Sequence, residues 1–293
     1  MKKLLSLLFA CVSLGCMAQT DAYIKINDSH GRHPRACSIE FPGDTPFPHD
    51  YDALYGHGAV LENPFLAIRV YMDNRQSIDL YLKQTPRLEL DHTGFYSTKE
   101  QVDGGYGCDV LFAGQSVGMG SFRGYVDGKP ALIEGTESRR QAVINDHQVQ
   151  VFDENWIYNG HPIQMTQTYT AKPGSREIDV EIALEGYTPD DLFATGVQKI
   201  ESDNEGFIDA VGVAGSWGVN VPDKAHPEWT ETIGLGIKVN PENIVEAKED
   251  DLNYLFVVRP DKNGKIRYSI TASGLRERSG FKSPSSWFKF LKK

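Results

Sequence analysis

Residues 66–83 read LAIRVYMDNRQSIDLYLK. Leu66, Ile68, Val70 and Met72 fall on one side of an extended chain, with Arg69, Tyr71 and Asp73 on the other. After a break, Ile78, Leu80 and Leu82 alternate with Asp79, Tyr81 and Lys83. Successive side chains of extended backbone point to opposite faces, so this period of two predicts a pair of strands. Keeping both apolar sets on one side of a hairpin requires an odd loop, because a slip of one residue turns a strand over. A three-residue loop at Asn74, Arg75 and Gln76 satisfies this and sets Tyr71 opposite Asp79 and Arg69 opposite Tyr81. The polar face then carries two cations, two phenols and two carboxylates. A solvated outer face is the commoner meaning of charges on a strand. Tyrosines beside Arg and Lys, without Thr, Ser or Gln between them, favour a ligand-facing surface on which Arg69 could grip a carboxylate or sulfate with two hydrogen bonds.

The same alternation extends outward. Ile178, Val180, Ile182 and Leu184 share one side of residues 178–184, and Asp179 and Glu181 the other. Comparable stretches occur near 147–157, 163–170, 233–239, 253–259 and 265–271, while helical spacing is confined to a short turn around Ser286 to Leu291. Asn159-Gly160 and Asn263-Gly264 each predict a two-residue hairpin turn with positive φ. No period of 20 to 50 residues recurs, which excludes a propeller or solenoid. Many strands joined by short turns predict an all-β fold of antiparallel sheets packed on each other.

At the N-terminus, Lys2 and Lys3 precede an apolar run from Leu4 to Leu14, followed by Gly15, Cys16 and Ala18. This is the layout of a cleaved export signal over residues 1–18, too short to span a membrane, with Gln19 as the new terminus. Lipid attachment at Cys16 is the disfavoured rival, because Ser13 stands where a lipoprotein signal carries Leu or Val. The expected location is periplasmic or secreted. Residues 19–50, with Pro34, Pro42, Pro46 and Pro48, read as an extended or looped lead-in, and residues 51–293 as a single domain without linker or low-complexity interruption. The chain has 30 basic and 40 acidic residues, and loss of Lys2 and Lys3 takes its net charge from −10 to −12. So acidic a chain lacks the cationic surface that nucleic acid requires. Cys37 and Cys108 remain after export, with a disulfide and two free thiols both open.

Three further patterns carry possible chemistry. His226 and Glu228 beside Trp229 offer an imidazole and a carboxylate to move protons, with an aromatic face for a sugar ring. The alternative is a loop with a core tryptophan. His57 and Glu62 could supply a similar pair, a surface histidine being the ordinary alternative. Gly114-Gln115-Ser116-Val117-Gly118 matches a nucleophile elbow, but Gly118, Gly120 and Gly124 cannot begin the helix that motif needs. Asp261, Asn263 and Gly264 lack the remaining ligands of a calcium loop, and no zinc motif is present, so no cofactor or metal is expected, with calcium left open.

His57-Gly58-Ala59 with Glu62, Ala67 through Asp73 with Arg75, Ile78-Asp79-Leu80-Tyr81 with Lys83, and Tyr106-Gly107-Cys108-Asp109 with Leu111, Gly114, Ser116, Gly118, Gly120 and Ser121 form a series of short motifs. Together with the segment around Trp156 and the His226-Pro227-Glu228-Trp229 block, they resemble the bacterial family known as domain of unknown function 4861, over residues from about 50 to about 275. The resemblance implies a galactose-mutarotase-like, two-sheet supersandwich in exported proteins associated with breakdown of uronate-rich glycans such as pectin. Sites of that kind use a His and a carboxylate. The candidates are therefore His57, Glu62, Tyr71, His226 and Glu228 for catalysis, and Arg69, Asp79, Lys83, Asp109, Trp156 and Trp229 for substrate binding. Three functions follow: proton-transfer chemistry on an acidic oligosaccharide, non-catalytic carbohydrate binding, or glycoside hydrolysis by two carboxylates. An enzyme should bring Arg69 and Tyr71 into a concave pocket with His57 or His226, whereas a binding module should show tryptophans on an open platform. The number of subunits is not legible in the sequence.

Overall fold

The computed structural model describes residues 20–43, 45 and 53–293; the leader read at 1–18, including Cys16, and the new terminus Gln19 lie outside the described residues. The strands make antiparallel sheets of nine, six and five. At the centre of the nine-stranded sheet, Gln148–Tyr158, His161–Ala171, Ile178–Glu185 and Lys265–Gly274 pair in that order. Burial alternates residue by residue along Ile178–Glu185, with Ile178, Val180, Ile182 and Leu184 all inside. Asn159 and Gly160 both take positive φ between the paired residues Tyr158 and His161, as the turn chemistry requires.

Asn263-Gly264 closes differently. The backbone of Asp261 pairs with Lys265, and the Asp261 carboxylate accepts the N–H groups of Asn263 and Lys265 at 2.8 and 3.0 Å. Only Gly264 of the two takes positive φ, so the loop has three residues. The side chain one position before the expected turn captured its backbone donors.

The six-stranded sheet contains Asp21–Ile26, Leu54–Glu62, Leu66–Tyr71, Ile78–Leu82 and Cys108–Asp109 in neighbouring positions. Asp21–Ile26 pairs with Leu54–Glu62, and Ser38–Pro42 edges the nine-stranded sheet, so residues of the lead-in join the sheets directly. Phe193–Gln198 and Asn253–Val258 form the middle of the five-stranded sheet. One apolar core contains Ile68 and Leu80, Val149 and Ile182, Phe193 and Phe256, residues from all three sheets. The six- and five-stranded sheets thus act together as the layer facing the nine-stranded one.

The C-terminal turn is a helix, Pro284–Leu291, capped by Ser283. Its Trp287 and Leu291 lie on the outer side of Val213–Asn220 and Glu231–Val239 against Gly215, Gly234 and Gly236. A Cβ on Gly234 would sit 2.8 Å from the Trp287 ring nitrogen, so glycine admits this close approach. Among the described residues no helix is long and apolar enough to cross a membrane. Cys37 is exposed and Cys108 buried, both as free thiols.

Glu231 begins one of these strands and is buried, its Oε1 accepting the Arg276 N–H at 2.7 Å. Burial pushes its carboxyl up from 4.5 to about 7. Below the lower value both folded and unfolded chains hold the proton; above it only the folded chain does, which costs stability as pH rises. Glu231→Gln is therefore expected to exceed the wild type in stability by up to about 3 kcal/mol above pH 7, and to match it near pH 4. Urea denaturation at the two pH values checks this; an equal gap at both would remove burial of the acid as the cause.

Candidate functional site

The Leu66–Tyr71 and Ile78–Leu82 strands keep the expected parity but not the expected partners. Arg69 stands opposite Asp79, Val70 opposite Ile78 and Ile68 opposite Leu80. The Tyr71 N–H donates to the Ser77 carbonyl, so the loop spans 72–76 and is five residues long. Asp73 organises it, accepting the N–H groups of Arg75 and Gln76 at 2.9 and 3.2 Å. Both loops are odd, so the sides survive while the register moves by two residues.

The polar face of this hairpin is covered, not solvated. Leu90 and Phe95 close over Tyr23, Val60, Ala67 and Tyr81 as a second small core. Arg69 is 1% exposed. Its Nε donates to Asp79 at 3.1 Å, and its Nη2 donates to Asp79 and, at 2.7 Å, to the Tyr96 hydroxyl. Its guanidinium lies 4.2 Å from the Phe95 ring centroid. The expectation that Arg69 faces a ligand and grips its carboxylate meets a side chain that is covered and engaged with Asp79 and Tyr96.

Lys83 and Glu62 are corrected likewise. The Lys83 Nζ donates to Glu62 at 2.6 Å and to the carbonyls of Asn63 and Arg87, all out of solvent. Glu62 also accepts the Glu89 N–H at 2.7 Å. A buried charge needs such a complete set of partners, which ties both residues to the framework. Trp156 packs in the main core beside Tyr158 and Phe193, out of reach of a ligand.

Beside this cover a cleft of about 210 Å³ remains, lined by Tyr71, Arg75, Asp79, Tyr96, Asp109 and Trp229 among others. Cys108–Asp109 pairs with Ile78–Leu82, setting Asp109 opposite Tyr81 and diagonal to Asp79 on the same face. Burial raises both carboxyls, but they differ in support. Asp79 is held by Arg69 and the Tyr71 hydroxyl. For Asp109, burial and then the charge of Asp79 raise the carboxyl well above its ordinary range, and the Arg69 charge and the backbone N–H groups of Leu111 and Val110 offset this only in part. Asp109 is raised the more strongly of the two, and the pair takes up and releases protons as a unit. Burial and the Asp79 charge also push the Tyr71 phenol up, so it stays neutral. Arg75 is bound to Asp73 at 2.8 Å through Nε, with its side chain still 37% exposed at the cleft.

Two further hollows adjoin, and Tyr96 lines all three. In one, His57 shares a space of about 220 Å³ with Arg69, Tyr55 and Phe95. The His57 ring stacks on Tyr71 at 5.2 Å, and burial followed by the Arg69 charge lowers it to about 4, leaving it neutral at pH 7. In the other, the His226 Nδ1 meets Glu228 at 3.1 Å and its ring stacks on Trp229 at 4.1 Å. The Trp229 indole N–H donates to the Ser97 carbonyl, which fixes that short helix, Pro227–Trp229, against the cover. Glu228 is lowered by a backbone hydrogen bond and then by His226, so it remains a carboxylate.

The structure thus brings Tyr71, Asp79, Asp109 and Trp229 into one cleft, with His57 and His226 in flanking hollows. Sequence reading missed Tyr96, which lies between two short helices where nothing alternates, and Arg75, read only as a loop residue. Ser116 donates to the Ala113 carbonyl and to Gln198 within a loop, confirming that it is no nucleophile elbow. Among the described residues no group of His, Cys, Asp and Glu is placed to hold a metal.

An all-β, antiparallel layered body with a half-enclosed cleft carrying two buried carboxylates is the class that these observations define. The chain belongs to the family described as Domain of unknown function (DUF4861), which matches residues 17–293. Among solved structures it is similar to a putative aldose 1-epimerase from Klebsiella pneumoniae subsp. pneumoniae MGH 78578, at 10% identity over 88% of this chain and 92% of that one, with a TM-score of 0.33. No curated protein matches the chain.

Proposed function

We propose that this chain is an exported carbohydrate-active protein that processes a uronate-containing oligosaccharide by proton transfer, in an epimerase-like or lyase-like step. The observation that carries the reading is the pair Asp79 and Asp109, two neighbouring carboxylates at one cleft, of which Asp79 is ion-paired with Arg69 and Asp109 is held by a backbone N–H. Environments that push two acids apart assign an acceptor and a donor. Asp79, ion-paired with Arg69, accepts the proton from the carbon beside the sugar carboxylate. Asp109 supplies one, either to the opposite face of that carbon or to the leaving oxygen as the adjacent C–O bond breaks. Neutralising the substrate carboxylate makes the C–H acidic enough for this.

Tyr96 and Trp229, stacked at 5.6 Å, supply an aromatic wall suited to a sugar ring. All four tryptophans are buried, which supports an enclosed site over an open binding platform. Incubation of the pure protein with pectic and related oligosaccharides, read by mass, NMR and absorbance of unsaturated uronates, tests the reading. Product from at least one acidic glycan is expected, from protein whose secreted form begins at Gln19 by mass spectrometry. Absence of turnover and of calorimetric binding across the panel would overturn it.

A further inference from the structure

Of the buried cations among the described residues, Arg69, Lys83 and Arg139 each meet a carboxylate within 4.0 Å. Arg123 meets none, although it is 3% exposed. It opens the strand Arg123–Val126 and donates to two neutral oxygens: Nη1 to the Phe122 carbonyl at 2.9 Å and Nη2 to the Ser77 hydroxyl at 3.1 Å. Burying an ion without a counter-ion is costly. Burial lowers the Arg123 guanidinium to about 10, which still leaves it charged at pH 7.

The place of Arg123 gives that charge a use. Ser77, its partner, lines the cleft together with Asp79 and Asp109. By accepting from Arg123, the Ser77 oxygen keeps its own O–H as a donor. The nearby ions otherwise cancel: Arg69 with Asp79, Arg75 with Asp73, Arg139 with Asp153. Arg123 is left beside the cleft without a carboxylate of its own.

We propose that Arg123, acting through Ser77, is the positioning residue for an anionic group of the ligand and makes the cleft select sugar acids over neutral sugars. The proposal rests on the reading of the cleft as a sugar site and adds the group that sets its charge preference.

Calorimetric titration of the full chain and its Arg123→Met variant with galacturonate, galactose and acetate tests it. The wild type is expected to bind galacturonate at least about tenfold more tightly than galactose. Arg123→Met should bring the two within about twofold, with galactose affinity unchanged. Replacing an uncompensated buried cation by an apolar side chain of similar length should not cost stability. Should that variant fail to fold, Ser77→Ala, which retains the charge and removes the donor, is expected to lower the preference severalfold. An undiminished preference in whichever variant folds, or no preference in the wild type, overturns the proposal. Acetate binding that Arg123→Met abolishes, with neither sugar bound, would uphold the anion site and remove the sugar reading. No binding of any of the three would remove both.

Discussion

Asp109→Asn is expected to lower turnover of an acidic oligosaccharide by about 10²- to 10⁴-fold, the usual worth of a positioned proton donor, while the protein stays folded. Asparagine copies the shape of the protonated acid and retains an oxygen to accept the Leu111 N–H, which lies 3.2 Å from Oδ1. What it cannot do is release a proton. The variant should also show a flatter dependence of stability on pH. The raised Asp109 means that the folded wild type holds a proton that the unfolded chain has lost, so wild-type stability falls as pH rises above the ordinary carboxylate range. Asn at this position removes that slope. Progress curves and circular-dichroism melts over several pH values give both quantities. Activity within a few-fold of the wild type would leave Asp109 without a part in the reaction.

Arg69→Ala should unfold the protein far more readily than an exposed cation would, with a loss of about 3–5 kcal/mol. The substitution strands Asp79 in a site that is 7% exposed and withdraws the support of the Tyr96 hydroxyl. It also empties the space beneath Phe95. The double variant Arg69→Ala with Asp79→Asn removes the uncompensated charge and should recover part of the loss, as expected of a directly coupled pair. Chemical denaturation of the two singles and the double measures the coupling. A melting temperature unchanged in Arg69→Ala would mean that the ion pair adds nothing to the fold. It follows that lost activity in Arg69→Ala alone cannot separate binding from folding; Asp109→Asn and Arg123→Met are the cleaner variants.

Alternation in residues 66–83 and 178–184 was enough to place each side chain on the correct side of its strand. It could not show what lies over the polar side. Arg69, Asp79 and Lys83 alternate with Ile and Leu as surface residues do, and charged residues are seldom buried unless paired. Here the partners are distant in sequence or irregular: Glu62 for Lys83, and Tyr96 and Phe95 for Arg69. The register was illegible for a related reason. It depends on Asp73 capturing the N–H groups of Arg75 and Gln76, a side-chain event that leaves the parity unchanged. Trp156 stood among the binding candidates through the family resemblance alone; an aromatic residue on a strand has two faces to choose from, and the packing of Tyr158 and Phe193 settles which it takes.

Tyr96 and Trp229 belong to short segments outside the sheets, whereas Asp79 and Asp109 sit on paired strands, Asp79 in an ion pair with the buried Arg69. The two halves of the cleft therefore answer to different pressures in evolution. Substitutions at Tyr96, which is exposed, can reshape what fits while the protein still folds. Substitutions at the ion pair of Arg69 and Asp79 cost the protein its structure before they change its choice of ligand.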